Sequence, residues 1–278
     1  CHPDMLVIGG DTAETSERVR TFFQMLETSF VVTDVSSAEM TKHAINSYLA
    51  TCISFANELA GICDLVGADS LKVIEALRLD ARVSSNAPLR PGSGFSGGTL
   101  ARDVKVLLHL GDAYNDPLLQ LKGVWDRNQQ QGTIAVRRLR QIFPSLSGKT
   151  ISVLGLTYKP GTSTLRRSAS LEVIDQLVLA GASVRAFDPK ADPEELKEKR
   201  NFVVCDSVED AVYQSNALII ATPWAEFKDI DYQGLSRLMS DKVIVDAHNF
   251  LDPTTLGGYG FLYLGVGRGT LVKEGSEK

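Results

Sequence analysis

Three stretches carry residue types that could do chemistry. In "LTYKPGTSTLRRS" (156–168), Lys159, Arg166 and Arg167 stand among Thr162, Ser163, Thr164 and Ser168, between a strand-like run and a helical one. A helix start offers free N–H donors and partial positive charge. Ammonium and guanidinium groups beside it suit a phosphate or pyrophosphate. A solvated basic loop that only precedes a helix would have the same composition. In "PGSGFSGGTLARD" (91–103), four glycines bring backbone close to something, and Thr99 and Asp103 fall at the start of the next helix. Thr99 can cap that helix through its hydroxyl, and an acid in the first turn is favoured by the helix dipole. Thr99 could instead do chemistry at the loop tip. Lys42 and Asn46, at i and i+4, share one helix face that points either at water or at a partner.

These residues must be positioned by the elements around them. Runs at 5–9 and 30–35 read as strands flanking an amphipathic helix that Thr12 or Thr15 can cap. From Ser36 or Ser37, as caps, apolar residues recur in three- and four-residue steps from Met40 to Val66 and stop at Gly67. A helix starting near Asp69 or Ser70, a helix from Thr99, and one long helix over 117–143 follow, so 36–131 is mostly helical. After the turn-rich "SLSGKT" (145–150) the pattern changes to short apolar strands alternating with helices. Such alternation predicts an α/β fold with a doubly wound parallel sheet and right-handed crossovers. Ligands on such a sheet sit beyond the carboxyl ends of the strands. That singles out the loops "LTYKPGTSTLRRS", "TPW" and "DAHNF". No G-x-G-x-x-G follows a strand, so a dinucleotide fingerprint is missing from this sheet.

Composition narrows the classes. The 278 residues are 44% hydrophobic and 23% charged with net charge −5, which suits a globular chain of about two domains. No basic block points to nucleic acid, and no contiguous apolar run approaches the ~20 residues of a membrane span. Cys1, Cys52, Cys63 and Cys205 have no paired spacing. Cys52 and Cys63 on one helix lie roughly 16 Å apart, too far to bridge, which fits reduced thiols in a cytoplasmic protein. The histidines, His2, His43, His109 and His248, have no metal spacing, and no metal is expected. The chain starts at "CHPDMLVIGG", without methionine and directly at a strand, and reads as a segment of something larger.

Taken in order, the motifs resemble the UDP-glucose/GDP-mannose dehydrogenase family. "SSAEMTKHAINSYLATCISFANELAGICDLVGAD" is similar to the family's central helix with its Lys-x-x-x-Asn pair, matched by Lys42 and Asn46. "LDARV" resembles the segment whose arginine, here Arg82, reaches the neighbouring subunit's sugar site. "PGSGFSGGTLARD" resembles the glycine loop of that site, giving Gly94, Phe95 and Gly97 as substrate contacts and Asp103 as its aspartate. "GLTYKPGTSTLRRS" resembles the loop whose lysine, Lys159, holds the uridine nucleotide and whose arginine, Arg166, touches the cofactor.

The resemblance implies three segments: residues 1–35 as the end of an NAD-binding domain, 36–131 as a helical dimerisation and substrate domain, and 132–278 as a Rossmann-like UDP-binding domain. It further implies a UDP-sugar substrate, NAD as cofactor of the whole protein, a homodimer through the 36–66 helix, and a place in polysaccharide biosynthesis. The sequence departs from the family at its nucleophilic cysteine, where Thr99 stands. Two neighbouring acids are Ser163 and Thr164, and His248 stands for an arginine. The NAD domain and a glutamate upstream of the first strand are missing, so this chain alone is expected not to use NAD productively. The readings that follow are a dehydrogenase relative, in which Lys42, Asn46 and Asp103 do the chemistry with Thr99 in doubt, and a non-catalytic nucleotide-sugar-binding or assembly protein of the same fold.

Overall fold

Asp34 starts the longest helix. Its carboxylate accepts from Ser37 N at 2.9 Å, so it takes the cap assigned above to Ser36 or Ser37. Asp34 has the extended backbone that a cap requires, whereas the serines already lie inside the helix. The computed structural model describes residues 3–96, 98–197 and 201–269. A small βαβ unit comes first: β1 (Met5–Gly9), α1 (Ala13–Phe23) and β2 (Ser29–Thr33), with the two strands parallel and Thr12 capping α1.

The helical unit is built on α2 (Val35–Val66), closed at Gly67. It packs against α3 (Ser70–Leu79), α4 (Leu100–Tyr114) and α5 (Leu119–Gln131). By length and composition α2 could cross a membrane. Polar residues interrupt its apolar ones, so no contiguous apolar run marks this in the sequence. In this fold α2 is a packing helix, with Ala50, Ala56 and Ala60 fully buried against its neighbours. The single helix expected over 117–143 is two, because the chain breaks at Gly132 and Thr133 before α6 (Ile134–Ile142). The two halves have different cores. Val124 of α5 packs with Ala50, Phe95 and Val104, while Ala135, Val136 and Leu139 of α6 pack beneath the sheet.

That sheet contains β3 (Thr150–Leu154), β4 (Ser183–Phe187), β5 (Val203–Val204), β6 (Ala217–Ile220), β7 (Val243–Asp246) and β8 (Leu262–Leu264). Its order is β5-β4-β3-β6-β7-β8, all parallel. The order reverses between β3 and β6, which makes the switch point of a doubly wound sheet. The strands β3, β6 and β7 are buried on both faces, as continuous β-branched runs require. With α6, the helix α7 (Ala169–Leu179) covers one face. On the other lie α9 (Val208–Val212), α10 (Tyr232–Leu238) and α11 (Pro253–Gly258); the short α8 (Pro193–Leu196), before β5, packs Leu196 on the α6–α7 side. The pattern reading passed over α11, a six-residue helix that Asp252 caps.

A buried ion pair fastens the helical unit to the sheet. Arg138 of α6 donates to Asp64 of α2, with both side chains nearly inaccessible. Asp64 also accepts from Gly267 N at 3.0 Å and Gly269 N at 3.1 Å. Ala60, Ile134, Ala247 and Val266 form the apolar contact beside it.

Candidate active site

Asp103 lies in the first turn of α4 with no accessible surface. Lys42 Nζ donates to its Oδ2 at 2.7 Å, and Asn46 Nδ2 donates to the same oxygen. Arg102 Nε donates to Oδ1 at 3.3 Å. His43 Nδ1 is 3.3 Å from Oδ1 but lacks hydrogen-bonding geometry. The shared face of Lys42 and Asn46 therefore points at a carboxylate. Burial alone would raise the Asp103 pKa; the bonds from Lys42, Asn46 and Arg102, with the Lys42 charge, outweigh it and hold the carboxyl well below the usual range. The group is shallow, covered by Lys42 and Arg102 side chains that are each more than half exposed.

Four residues before Asp103, Thr99 begins α4, and its carbonyl accepts from Asp103 N at 3.1 Å. Its hydroxyl makes no capping bond, contrary to expectation. The Thr99 backbone is at φ −108°, ψ −72°, near the helical rather than the extended region, so Oγ1 is not aimed at the first-turn N–H groups. The α4 start thus keeps its free donors beside a hydroxyl that has no partner among the described residues.

The glycine loop is pinned by three buried amides that the sequence reading did not single out. Asn57 Oδ1 accepts from Gly92 N at 2.7 Å, and Gln131 Nε2 donates to Gly92 O at 2.5 Å. Asn128 holds both backbone groups of Phe95, accepting from N at 2.7 Å and donating to O at 2.8 Å. Gly94 is obligatory, because at φ +88° a Cβ would stand 2.5 Å from Asn128 Oδ1. The ring of Phe95, expected to contact substrate, packs with Ala50, Val104 and Val124, and the residue also lines a cavity of about 350 Å³ beside the loop. Its two backbone groups are occupied as well, so it anchors the loop. Gly97 lies outside the described residues. A polar amide inside an apolar helical stripe, as Asn57 is in α2, was the available signal.

Two of the three loops singled out at the sheet edge meet the glycine loop. A Cβ on Gly98 would collide with the Arg167 guanidinium, and one on Gly92 would lie 3.0 Å from Ala247 O. His248 follows Ala247. Its Nε2 lies 2.9 Å from Ala221 O, and burial holds its imidazole below the ordinary pKa. Lys159 and Arg166 are exposed in the loop between β3 and α7. Gly98, Tyr158, Thr164, Arg166 and Arg167 line an open cavity of about 290 Å³.

The third loop, "TPW", turns inward. Thr222 packs on Gly155, where φ is +94° and a Cβ would be 2.4 Å from the Thr222 side chain. Trp224 Nε1 donates to Asp188 at 3.1 Å, and the same carboxylate oxygen accepts from Leu156 N and Thr157 N at 2.6 and 3.0 Å. Asp188 therefore occupies the N–H groups at the end of β3. Arg82 is not brought to Asp103 within this chain; its exposed guanidinium forks onto Asp80 at 3.0 and 2.8 Å. No group of His, Cys, Asp and Glu able to hold a metal occurs among the described residues.

Two profiles of one family match the chain: the central domain over residues 36–130 and the UDP binding domain over 152–253. The chain belongs to the UDP-glucose/GDP-mannose dehydrogenase family. It is 34% identical over 272 residues to a UDP-glucose 6-dehydrogenase of Rickettsia felis, covering 96% of this chain and 60% of that protein. A UDP-glucose 6-dehydrogenase of Bacillus subtilis is 34% identical over 265 residues, covering 94% and 57%. Among solved structures, a UDP-glucose dehydrogenase from Pyrobaculum islandicum superposes with a TM-score of 0.83 at 27% identity, over 95% of this chain and 59% of that one. The UDP-D-ManNAc dehydrogenase from Pyrococcus horikoshii gives 0.82 at 25%, over 96% and 60%. The chain thus spans about three fifths of the relatives it matches. Within the family's central domain lie Lys42, Asn46, Asp103 and the glycine loop; Lys159 and Arg166 lie in its UDP binding domain.

A depressed carboxyl pKa has a signed consequence. Asp103 contributes stability above the unfolded carboxyl pKa of about 3.9, and the contribution is lost as pH falls below that value toward the lower folded pKa. The gap in unfolding free energy between wild type and Asp103→Asn should be constant from about pH 6 to 8 and shrink from about pH 4 downward. Chemical denaturation across pH measures it; a gap that stays constant to pH 2 would mean that Asp103 is not held ionised.

Proposed function

We propose that this chain carries the UDP-sugar site of an NAD-dependent nucleotide-sugar 6-dehydrogenase, with the sugar against the glycine loop and the nucleotide diphosphate on the loop of Lys159. The observation that carries the reading is the convergence of Lys42 and Asn46 on Asp103, four residues from Thr99, beside a loop that Arg167 of the sheet unit closes over. Lys42 is charged and half exposed with its position fixed, so it can stabilise an oxyanion developing on the sugar. Asn46 and Asp103 complete that polar floor, and Asp103 orients Lys42. The exposed guanidinium of Arg166, on the 290 Å³ cavity, fits a pyrophosphate-bearing cofactor. NAD, when bound, accepts hydride from the sugar carbinol.

Two further parts belong to this reading. The exposed α2 residues Tyr48, Phe55 and Ile62 recur every seven positions, continued by Leu65 and Val66. An apolar stripe of this kind suits a two-fold pairing of α2 helices. Arg82, held on Asp80 at the surface and away from this chain's own site, then serves the other subunit. Thr99 limits the chemistry: a hydroxyl with no adjacent base does not capture an aldehyde as a thiolate does. Oxidation should therefore stop at the aldehyde. The unpartnered Thr99 hydroxyl equally favours a second reading, a protein that binds a nucleotide sugar without oxidising it.

Calorimetry should detect one UDP per chain, weakened about tenfold or more in Lys159→Ala, since hydrogen bonds to charged groups contribute about 1.5–3 kcal/mol. Absence of UDP binding at millimolar concentration contradicts the site. For the chemistry, the ratio of NADH formed to UDP-sugar consumed by the protein carrying this chain should be one. A ratio of two that Thr99→Ala abolishes would make Thr99 catalytic, and no NADH with retained UDP binding would select the second reading.

A further inference from the structure

A separate pocket of about 380 Å³ opens where α2, α5 and α6 meet the loop after β8. Three guanidiniums line it, Arg127, Arg137 and Arg138, against the carboxylates of Glu58 and Asp64. Asp64 is already occupied by Arg138 and by the N–H groups of Gly267 and Gly269. Glu58 is exposed and acts on Arg127 through its charge. The pocket is left with an excess of positive charge.

Its inner wall holds polar atoms without partners. Arg127 reaches in across Gly61, where a Cβ would stand 3.3 Å from Nη2, and it donates to Asn57 O at 2.5 Å. Its Nε has no partner among the described residues, nor has Nε of Arg138, Nδ2 of Asn57 or Oε1 of Gln131. Arg138 is 3% exposed, and Asn57 and Gln131 are 1% exposed. Buried polar atoms are nearly always paired. Here three donors and one acceptor, on residues that line the cavity, are unpaired among the described residues. Partial burial first, and then the neighbouring charges of Arg127 and Arg138, push the Arg137 guanidinium below its ordinary value, so the like charges oppose one another.

Planar guanidiniums match phosphate oxygens with paired donors. We propose that this pocket binds a phosphate or pyrophosphate group, at a site distinct from the loop of Lys159. Its walls come from α2 and α5 of the helical unit and from α6 and Val266 of the sheet unit, so an anion here clamps the junction between them. The site lies beside the Asp64–Arg138 pair that fastens the same junction. Ile62, at the rim, also belongs to the exposed α2 stripe, which puts the pocket mouth next to the proposed pairing surface.

The test is calorimetry and thermal melting of the intact chain with inorganic phosphate and inorganic pyrophosphate, in wild type, Lys159→Ala, Arg137→Gln and Glu58→Gln. Arg137 and Glu58 are exposed, so both variants should fold, which circular dichroism checks. Pyrophosphate should bind wild type and Lys159→Ala alike and raise the melting temperature of both. Arg137→Gln should weaken it about tenfold, the worth of one charge-assisted hydrogen bond. Glu58→Gln should tighten it about threefold by removing the opposing charge. The proposal is overturned if neither anion binds at about 10 mM, if Lys159→Ala abolishes binding, or if the two pocket variants leave affinity unchanged. It is equally overturned if Arg137→Gln dissociates a dimer while pyrophosphate binding persists, since the arginines would then serve an interface between copies.

Discussion

A carboxylate with no accessible surface must be compensated, and Asp103 is compensated from two helices. Removing its partners would leave an unpaired charge under the surface, which is far costlier than any exposed ion pair is worth. The requirement fixes the register of α4 against α2, because only one face of α2 offers Lys42 and Asn46 together. With α4 in place, the position of Thr99 follows, and so does the point where the glycine loop must end. The loop then needs its own restraint, which Asn57, Asn128 and Gln131 supply through backbone bonds to Gly92 and Phe95. Each step takes a polar group that burial would penalise and satisfies it with one that defines geometry.

The site is also a product of two units meeting. Arg167 and Ala247, from the sheet unit, close on glycines of a loop that the helical unit holds. Their approach depends on the junction, where Asp64 gathers Arg138 and two backbone N–H groups. Meanwhile the nucleotide crevice of an ordinary doubly wound sheet is internally filled, with Asp188 on the N–H groups after β3 and Trp224 behind it. The basic side chains of Lys159, Arg166 and Arg167 lie instead on the exposed outer loop.

Much of this was legible in the sequence. Strand runs such as "ISVL" and "ALII", and the apolar steps of α2, specify their elements because burial on both faces or on one stripe leaves a periodic trace. The motifs quoted for the family fell in the domains that its profiles match. What stayed hidden depends on contacts distant in sequence. Lys42 reads as a solvated lysine until Asp103, sixty-one residues on, is folded beneath it. The break between α5 and α6 is invisible to periodicity, since both halves are amphipathic and only their separate cores distinguish them. Thr99 looked like a cap by residue type, but capping is a matter of backbone angles, and its own are near-helical. Asp64 and Arg138 carried no local signal, because their pairing is purely tertiary.

The central claim is that the Asp103 charge and the Lys42 ammonium hold each other in place at the candidate site. A double-mutant cycle on unfolding free energy, with Lys42→Met, Asp103→Asn and the pair, measures that interaction with the background removed. Because Lys42 is half exposed, the coupling should be modest, about 1–2 kcal/mol, and it should fall when the cycle is repeated in strong acid, well below the ordinary carboxyl range, as Asp103 gains its proton. Additivity of the two substitutions to within about 0.3 kcal/mol at neutral pH would contradict the account, because the two groups would then stand side by side without positioning one another.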